Sequence, residues 1–184
     1  NPDDVIPPFL RDLKAAGVNR ASIGVQSFQP ELLKFMNRAH SSNEALHCLE
    51  LLSKSQFKVF TVDLIYGNPR QTTNQLIDDI DQLLQFDPPH VSAYSLTIEP
   101  KTQLGKLVEL GRLEPPEDDT VTTHFEIVNE RLKENGIYRY EVSNYARPGR
   151  KAVHNSRYWE HNNYLGLGPG AHSFWWDKNA VRWD

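Results

Sequence analysis

The chain has 184 residues, 39% hydrophobic and 24% charged, with a formal net charge of −4. This suffices for one core of ordinary domain size, and the acidic balance, with no basic run longer than Arg150-Lys151, excludes an electrostatic nucleic-acid footprint. No apolar stretch approaches the roughly 20 residues of a membrane span and no signal-peptide pattern opens the chain, so a cytoplasmic protein is expected. Its single cysteine, Cys48, excludes an internal disulfide framework and a multi-cysteine metal site within these residues. The first residue is Asn1, and WWDKNAVRW near the last reads as a hairpin cut short, so a piece of a longer protein is expected.

Pro7 and Pro8 suit a first helical turn, and Phe9, Leu10, Leu13 and Ala16 follow at helical spacing until Gly17 stops them, which predicts a helix over 7–16. Arg20–Gln26 reads as a short strand. Ser27 and Pro30 open a short helix carrying Leu32, Leu33 and Met36, with Arg38 ending or following it. Ser41 and Glu44 stand at capping-box spacing ahead of a helix with Ala45, Cys48, Leu49 and Leu52 on one face; Cys48 there is a small core hydrophobe. Val59–Tyr66 is apolar or β-branched except for Asp63, and Gly67, Asn68 and Pro69 break it, so it reads as a buried strand running into a loop. Thr72 and Gln75 cap a helix over Leu76 to Leu84, and Val91–Ile98 makes a third strand. Strands at intervals of about 35 residues separated by helical patterns indicate β-α-β units, an α/β fold and a parallel sheet. Lys101–Pro116 reads as a polar connection leading to a long helix over 117–134, with Asn135-Gly136 as its stop. From Tyr138 the aromatic and glycine-rich texture, without helical period, predicts β-ribbons and loops appended to the sheet.

An ionised Asp63 inside such a strand costs several kcal/mol, roughly, unless donors or a cation meet it. Gln26 and Asp63 lie near the C-terminal ends of predicted parallel strands, where active sites of α/β folds gather, and Arg38 follows the connection from the first. Guanidinium, carboxylate and amide together suit a zwitterionic, ribose-bearing ligand. A structural Arg38–Asp63 pair with Gln26 capping a loop reads equally well from the residues alone. The glycines of GLGPGAHSF, Gly166–Phe174, lack a following amphipathic helix, so they read as places of close backbone approach and not as a dinucleotide loop. His154, in HNSRYW, is either a hydrogen-bonded structural histidine or a haem ligand with aromatic neighbours. His40, His47, His90 and His124 carry no metal spacing and read as structural or solvated.

IGVQSF (Ile23–Phe28), NRAH (Asn37–His40), VDLIYGNPRQT (Val62–Thr72), PPHVSAYSLTIEP (Pro88–Pro100), YEVSNYARPG (Tyr140–Gly149), HNSRYW (His154–Trp159) and YLGLGPGAH (Tyr164–His172) together resemble the coproporphyrinogen-dehydrogenase-like radical S-adenosylmethionine family. The order is consistent over nearly the whole chain. The resemblance implies part of a (β/α)6 partial TIM barrel, S-adenosylmethionine at the barrel mouth, and a four-iron four-sulfur cluster on a CxxxCxxC loop. By position, Gln26, Arg38 and Asp63 match residues that contact S-adenosylmethionine in the family. HNSRYW and YEVSNYA are similar to its heme-chaperone (HemW) branch, where the histidine motif is associated with heme; this implies His154 as a heme contact and a heme-acceptor protein as partner. The other branch, the oxygen-independent coproporphyrinogen III oxidases, decarboxylates two propionates of a porphyrinogen. An alternative of another class is a non-catalytic α/β binding module.

The chain departs from the family in lacking the CxxxCxxC loop, which is expected, with the first barrel strands, before Asn1. Alone, the chain is therefore expected neither to hold the cluster nor to cleave S-adenosylmethionine, and no catalytic residue or cluster ligand is assigned within it. Asn68 stands where the family usually has leucine. Residues 1–116 are expected to form the C-terminal part of the barrel, and 117–184 the last long helix and appended ribbon of the same structural unit, truncated at both ends.

Overall fold

Three strand-forming runs separated by amphipathic helices set the frame. In the computed structural model, which describes residues 1–55, 57, 59–175 and 181–183, β1 (Arg20–Gln26), β2 (Val59–Tyr66) and β3 (His90–Ser95) lie side by side and parallel. The chain divides into two compact units, Asn1–Arg150 and Lys151–Asp184.

In the first unit, α1 (Pro7–Ala15) precedes β1, α2 (Pro30–Phe35) and α3 (Ser42–Lys54) connect β1 to β2, and α4 (Thr73–Leu84) connects β2 to β3. Both expected capping boxes form: the Ser41 hydroxyl accepts from the Glu44 N–H, the Thr72 hydroxyl from the Gln75 N–H, and each N3 side chain reaches back to the cap. The helices cover one sheet face. Val25, Val62, Leu64 and Val91 meet Leu49, Leu52, Leu76, Ile80 and Leu83 there, all at most 2% exposed. Cys48 lies in this core, and desolvation pushes its thiol up to about 11.

The third strand is shorter than the expected 91–98. Leu96 N–H still donates to Tyr66 O at 2.8 Å, but β2 ends at Tyr66, so the residues beyond have no ladder partner. The connection read as polar loop contains α5 (Gln103–Glu109), capped by the Thr102 hydroxyl accepting from Gly105 N–H. Gly105 reads as a breaker, yet its role is proximity: a Cβ there would lie 2.3 Å from Glu99 O. The long helix α6 (Asp118–Glu134) buries His124, Val128 and Leu132. The ribbon of β4 (Tyr138–Arg139) and β5 (Asn144–Ala146) then joins the sheet antiparallel to β3, giving the order β1-β2-β3-β5-β4.

The second unit carries a correction. Residues 153–159, expected as ribbon or loop, form helix α7 (Val153–Trp159). No glycine or proline interrupts 150–165, and His154 and Tyr158 stack edge to face at i, i+4, with centroids 4.9 Å apart. β6 (Ser173–Trp175) and β7 (Val181–Trp183) pair antiparallel as the hairpin reading expects, and its turn, 176–180, lies outside the described residues. Close backbone approach also holds at Gly166, where a Cβ would stand 2.3 Å from His172 O. The unit boundary falls after Arg150, whereas the expected division was after 116 within a single unit. The reason is that β5 is hydrogen-bonded into the main sheet, whereas Tyr164, Phe174, β6 and β7 pair with one another.

Core packing of this kind predicts that Ile80→Ala, at a fully buried site, costs about 2–5 kcal/mol in a urea titration. Leu165→Ala, at a site 75% exposed, is expected to change stability by less than about 0.5 kcal/mol.

Candidate functional site

Alternation along the parallel strands sends apolar side chains to the helices and polar ones to the opposite face. Gly24, Asp63, Ser92 and Asn144 are successive partners across β1, β2, β3 and β5, forming one polar row. Ser22 Oγ donates to the Asp63 carboxylate at 3.3 and 3.5 Å, and Ser92 Oγ donates to Asn144 Oδ1 at 2.8 Å. Asn144 Nδ2 in turn donates to Glu141. In the row below, Arg20 Nη2 donates to Thr61 Oγ1 at 2.7 Å, and His90 Nε2 lies 2.8 Å from the Tyr140 hydroxyl. Burial pushes His90 down to about 3, so its ring is neutral.

Strand β1 ends irregularly. Its register with β2 slips between Gly24 and Gln26, and Gln26 has φ of 70°, a left-handed value that a non-glycine residue rarely adopts. Ser27 N–H donates back to Val25 O at 2.9 Å, so Gln26 is the centre of a tight three-residue turn. Its side chain folds over Gly24: a Cβ at position 24 would meet Gln26 Nε2 at 2.5 Å and Arg38 Nη2 at 3.3 Å. Arg38 follows α2, as expected. Its Nη2 reaches Gly24 O at 3.4 Å and Asn1 Oδ1 at 3.3 Å, and its buried Nε has no hydrogen-bond partner.

The amide and the guanidinium therefore meet above Gly24, and Asp63 is Gly24's neighbour in the next strand, with strands about 4.8 Å apart. Arg38 and Asp63 do not close into an ion pair; among the described residues the ion pairs involve other groups. Desolvation raises the Asp63 pKa, against the opposing pull of the Ser92 and Ser22 hydroxyls and of Arg20 and Arg38. A partly buried carboxylate that strains to stay charged, beside a guanidinium with an unused N–H, is prepared for a ligand bearing both an ammonium or hydroxyl and a carboxylate. S-adenosylmethionine has those groups. The iron–sulfur cluster does not fit these residues: three thiolates are needed, and the one cysteine is buried against the core.

Behind the turn sits Asp79 of α4, 1% exposed. It accepts from Ser27 Oγ at 2.7 Å, Phe28 N–H at 2.8 Å and Gln29 Nε2 at 3.2 Å. Burial nevertheless pushes its carboxyl up to about 6. The sequence reading did not single out Ser22, Ser92, Asn144 or Asp79. The signal for the first two was present as the period-two series Arg20, Ser22, Gly24 and His90, Ser92.

His154 lies in the other unit, exposed, on the first turn of α7, with Nε2 3.0 Å from the Tyr158 hydroxyl. Tyr158 packs on Tyr164 with centroids 4.6 Å apart, and Tyr164 stacks on Phe174 at 5.9 Å. Val153, Trp159, Leu165 and Leu167 of this unit are 54–83% exposed. His40 instead serves structure, with Nε2 3.0 Å from Val25 O, and His124 is fully buried in α6.

The profile of the radical SAM superfamily matches residues 1–83. Those residues, β1 and β2 among them, carry the sequence pattern of that superfamily. It is 39% identical to the heme chaperone HemW of Bacillus subtilis over 95% of its own length and 46% of that protein's, and 40% identical to HemW of Escherichia coli over 94% and 44%. It thus spans about half the length of the curated relatives it matches. Among solved structures it superposes on the E. coli coproporphyrinogen III oxidase HemN with a TM-score of 0.76 at 21% identity, covering 94% of this chain and 42% of that one, which shows a shared radical SAM fold. Among the described residues no helix is long and apolar enough to cross a membrane.

Two outcomes test this geometry. Gly24→Ala is expected to keep the fold, because the atom it displaces is the far end of a flexible side chain, while weakening S-adenosylmethionine binding by about tenfold in calorimetric titration. Asp79, with its folded pKa raised from 3.8 to about 6, is protonated in both states at lower pH and carries a burial penalty once ionised. Stability should therefore fall as pH rises from about 4 to about 6, by roughly 2–3 kcal/mol. Thermal melts of Asp79→Asn should lack that slope.

Proposed function

We propose that the protein is a heme chaperone of the HemW kind, which grips S-adenosylmethionine through Gln26, Arg38 and Asp63 and offers His154 to heme. The observation that carries the first half is the convergence of the Gln26 and Arg38 tips above Gly24, beside an Asp63 that no cation closes off. Identity of 39–40% to two proteins named heme chaperone HemW supports the branch.

In this reading Arg38 holds the ligand's carboxylate with a charge-assisted hydrogen bond, and Asp63 takes its ammonium or a ribose hydroxyl. The Gln26 amide can donate to one group and accept from another. When bound, S-adenosylmethionine supplies an activated sulfonium at this site. Ser22 keeps the Asp63 carboxylate turned along the polar row, so the acceptor is in place before the ligand arrives. Heme is the cargo. An exposed imidazole suits its iron, and Val153, Trp159, Leu165 and Leu167 give the same unit the apolar surface that a porphyrin face needs. The Tyr158 hydroxyl occupies His154 Nε2 in the free protein, which leaves Nδ1 for the metal unless Tyr158 turns away.

The tests use the full-length protein. Asp63→Asn is expected to weaken S-adenosylmethionine binding about 10–100-fold, the worth of one charged hydrogen bond. His154→Ala is expected to weaken hemin binding and shift the Soret band. Unchanged affinity with an identical Soret spectrum would remove His154 from the role, and turnover of coproporphyrinogen III by the reconstituted protein would replace the chaperone reading with the oxidase one.

A further inference from the structure

The loop joining β1 to α2 is held from behind by an element that the ligand reading does not use. Asp79 belongs to α4, the helix that follows β2, yet the side-chain hydrogen bonds it accepts come from Ser27, Phe28 and Gln29, the residues immediately after Gln26. Its neighbour Asp78 accepts from Gln29 Nε2 at 2.8 Å as well. The clamp is reinforced on the loop's other side. Gln29 N–H donates to Ser27 Oγ at 3.0 Å, Ser42 Oγ donates to Phe28 O at 2.6 Å, and His40 Nε2 lies 3.0 Å from Val25 O.

A carboxylate 99% removed from solvent without a cationic partner is a poor way to stabilise a fold, since an apolar residue of similar size would avoid the desolvation cost. What the carboxylate does that an apolar residue cannot is orient several donors at once, and all of them belong to the three residues that follow the left-handed residue of β1. Left-handed conformations at non-glycine residues persist where surrounding contacts over-determine them, and they gather at ligand sites.

We propose that Asp79 is a positioning residue for the S-adenosylmethionine site: by holding Ser27, Phe28 and Gln29 it keeps Gln26 in its tight turn and its amide above Gly24. The inference rests on the reading of Gln26 as a ligand contact. It also links two β-α units, because the helix after the Asp63 strand fixes the loop after the Gln26 strand.

The test is a double-mutant cycle in the full-length protein with its cluster reconstituted, titrated with S-adenosylmethionine. Asp79→Asn, nearly isosteric, should weaken binding by about tenfold, Gln26→Ala by about tenfold or more, and the double variant no more than Gln26→Ala alone. A purely structural Asp79 would give effects that multiply, and that result overturns the proposal. Wild-type affinity in Asp79→Asn beside a weakened Gln26→Ala overturns it too. Unchanged affinity in Gln26→Ala would instead remove the ligand contact itself, and the proposal with it. Should Asp79→Asn fail to fold, Ser27→Ala releases the clamp from the loop side and must show the same lack of additivity with Gln26→Ala.

Discussion

The site depends on a turn that the backbone does not favour. Gln26 sits at φ 70° with its neighbours bridged by Ser27 N–H to Val25 O, a conformation costing of the order of 1–3 kcal/mol for a residue with a side chain. If β1 continued straight, the Gln26 side chain would share Gly24's face but stand about 7 Å further along the strand, two residues on. The turn closes that distance and lays the amide back over Gly24, where Arg38 also arrives. Gly24 is the complementary constraint: any Cβ there would occupy the space the two tips share.

The same strands serve core and site because their two faces carry opposite chemistry. Val25, Val62, Leu64 and Val91 are sealed beneath helices, while Ser22, Asp63, Ser92 and Asn144 line the other face, where Ser22 donates to Asp63 and Ser92 to Asn144. Packing on the first face fixes the register, and a one-residue slip would turn Asp63 into the core. The cost of charging Asp63 and the precision of its placement thus come from a single cause, the burial of its neighbours.

Much of this was legible in the sequence, and the residues show why. Both capping boxes were readable because Ser41–Glu44 and Thr72–Gln75 are local patterns whose partners stand three residues apart. Strands β1 and β2 matched their expected bounds, since glycine and proline punctuate them. The Gln26, Arg38 and Asp63 set was visible as residue types near strand ends, but not its meeting point, because the bulge after Gly24 is a tertiary event. Asp79 was invisible for a related reason: on a helical pattern it reads as one more solvated acid, and only the fold brings it to Ser27, 52 positions away. Helix α5 was hidden by Gly105, which is there for Glu99 and not as a breaker. Helix α7 was hidden by aromatic residues that read as ribbon.

The two units solve recognition in opposite ways. In Asn1–Arg150 the polar groups are placed and mostly satisfied beforehand, so on the proposed reading a small zwitterion would meet acceptor and donors already held in position, with little left to order. In Lys151–Asp184 large apolar side chains are exposed in the same unit as the exposed His154 imidazole. A surface like that gains chiefly by covering area, so it suits a flat, greasy ligand whose specificity is supplied by one metal bond. It also suits release: a cargo held by an exposed face and a single imidazole can be passed to a competing ligand, whereas one enclosed in a deep pocket cannot. On the proposed reading, preorganised polar contacts orient a cofactor in the first unit, and an open apolar face lets a cargo be surrendered from the second.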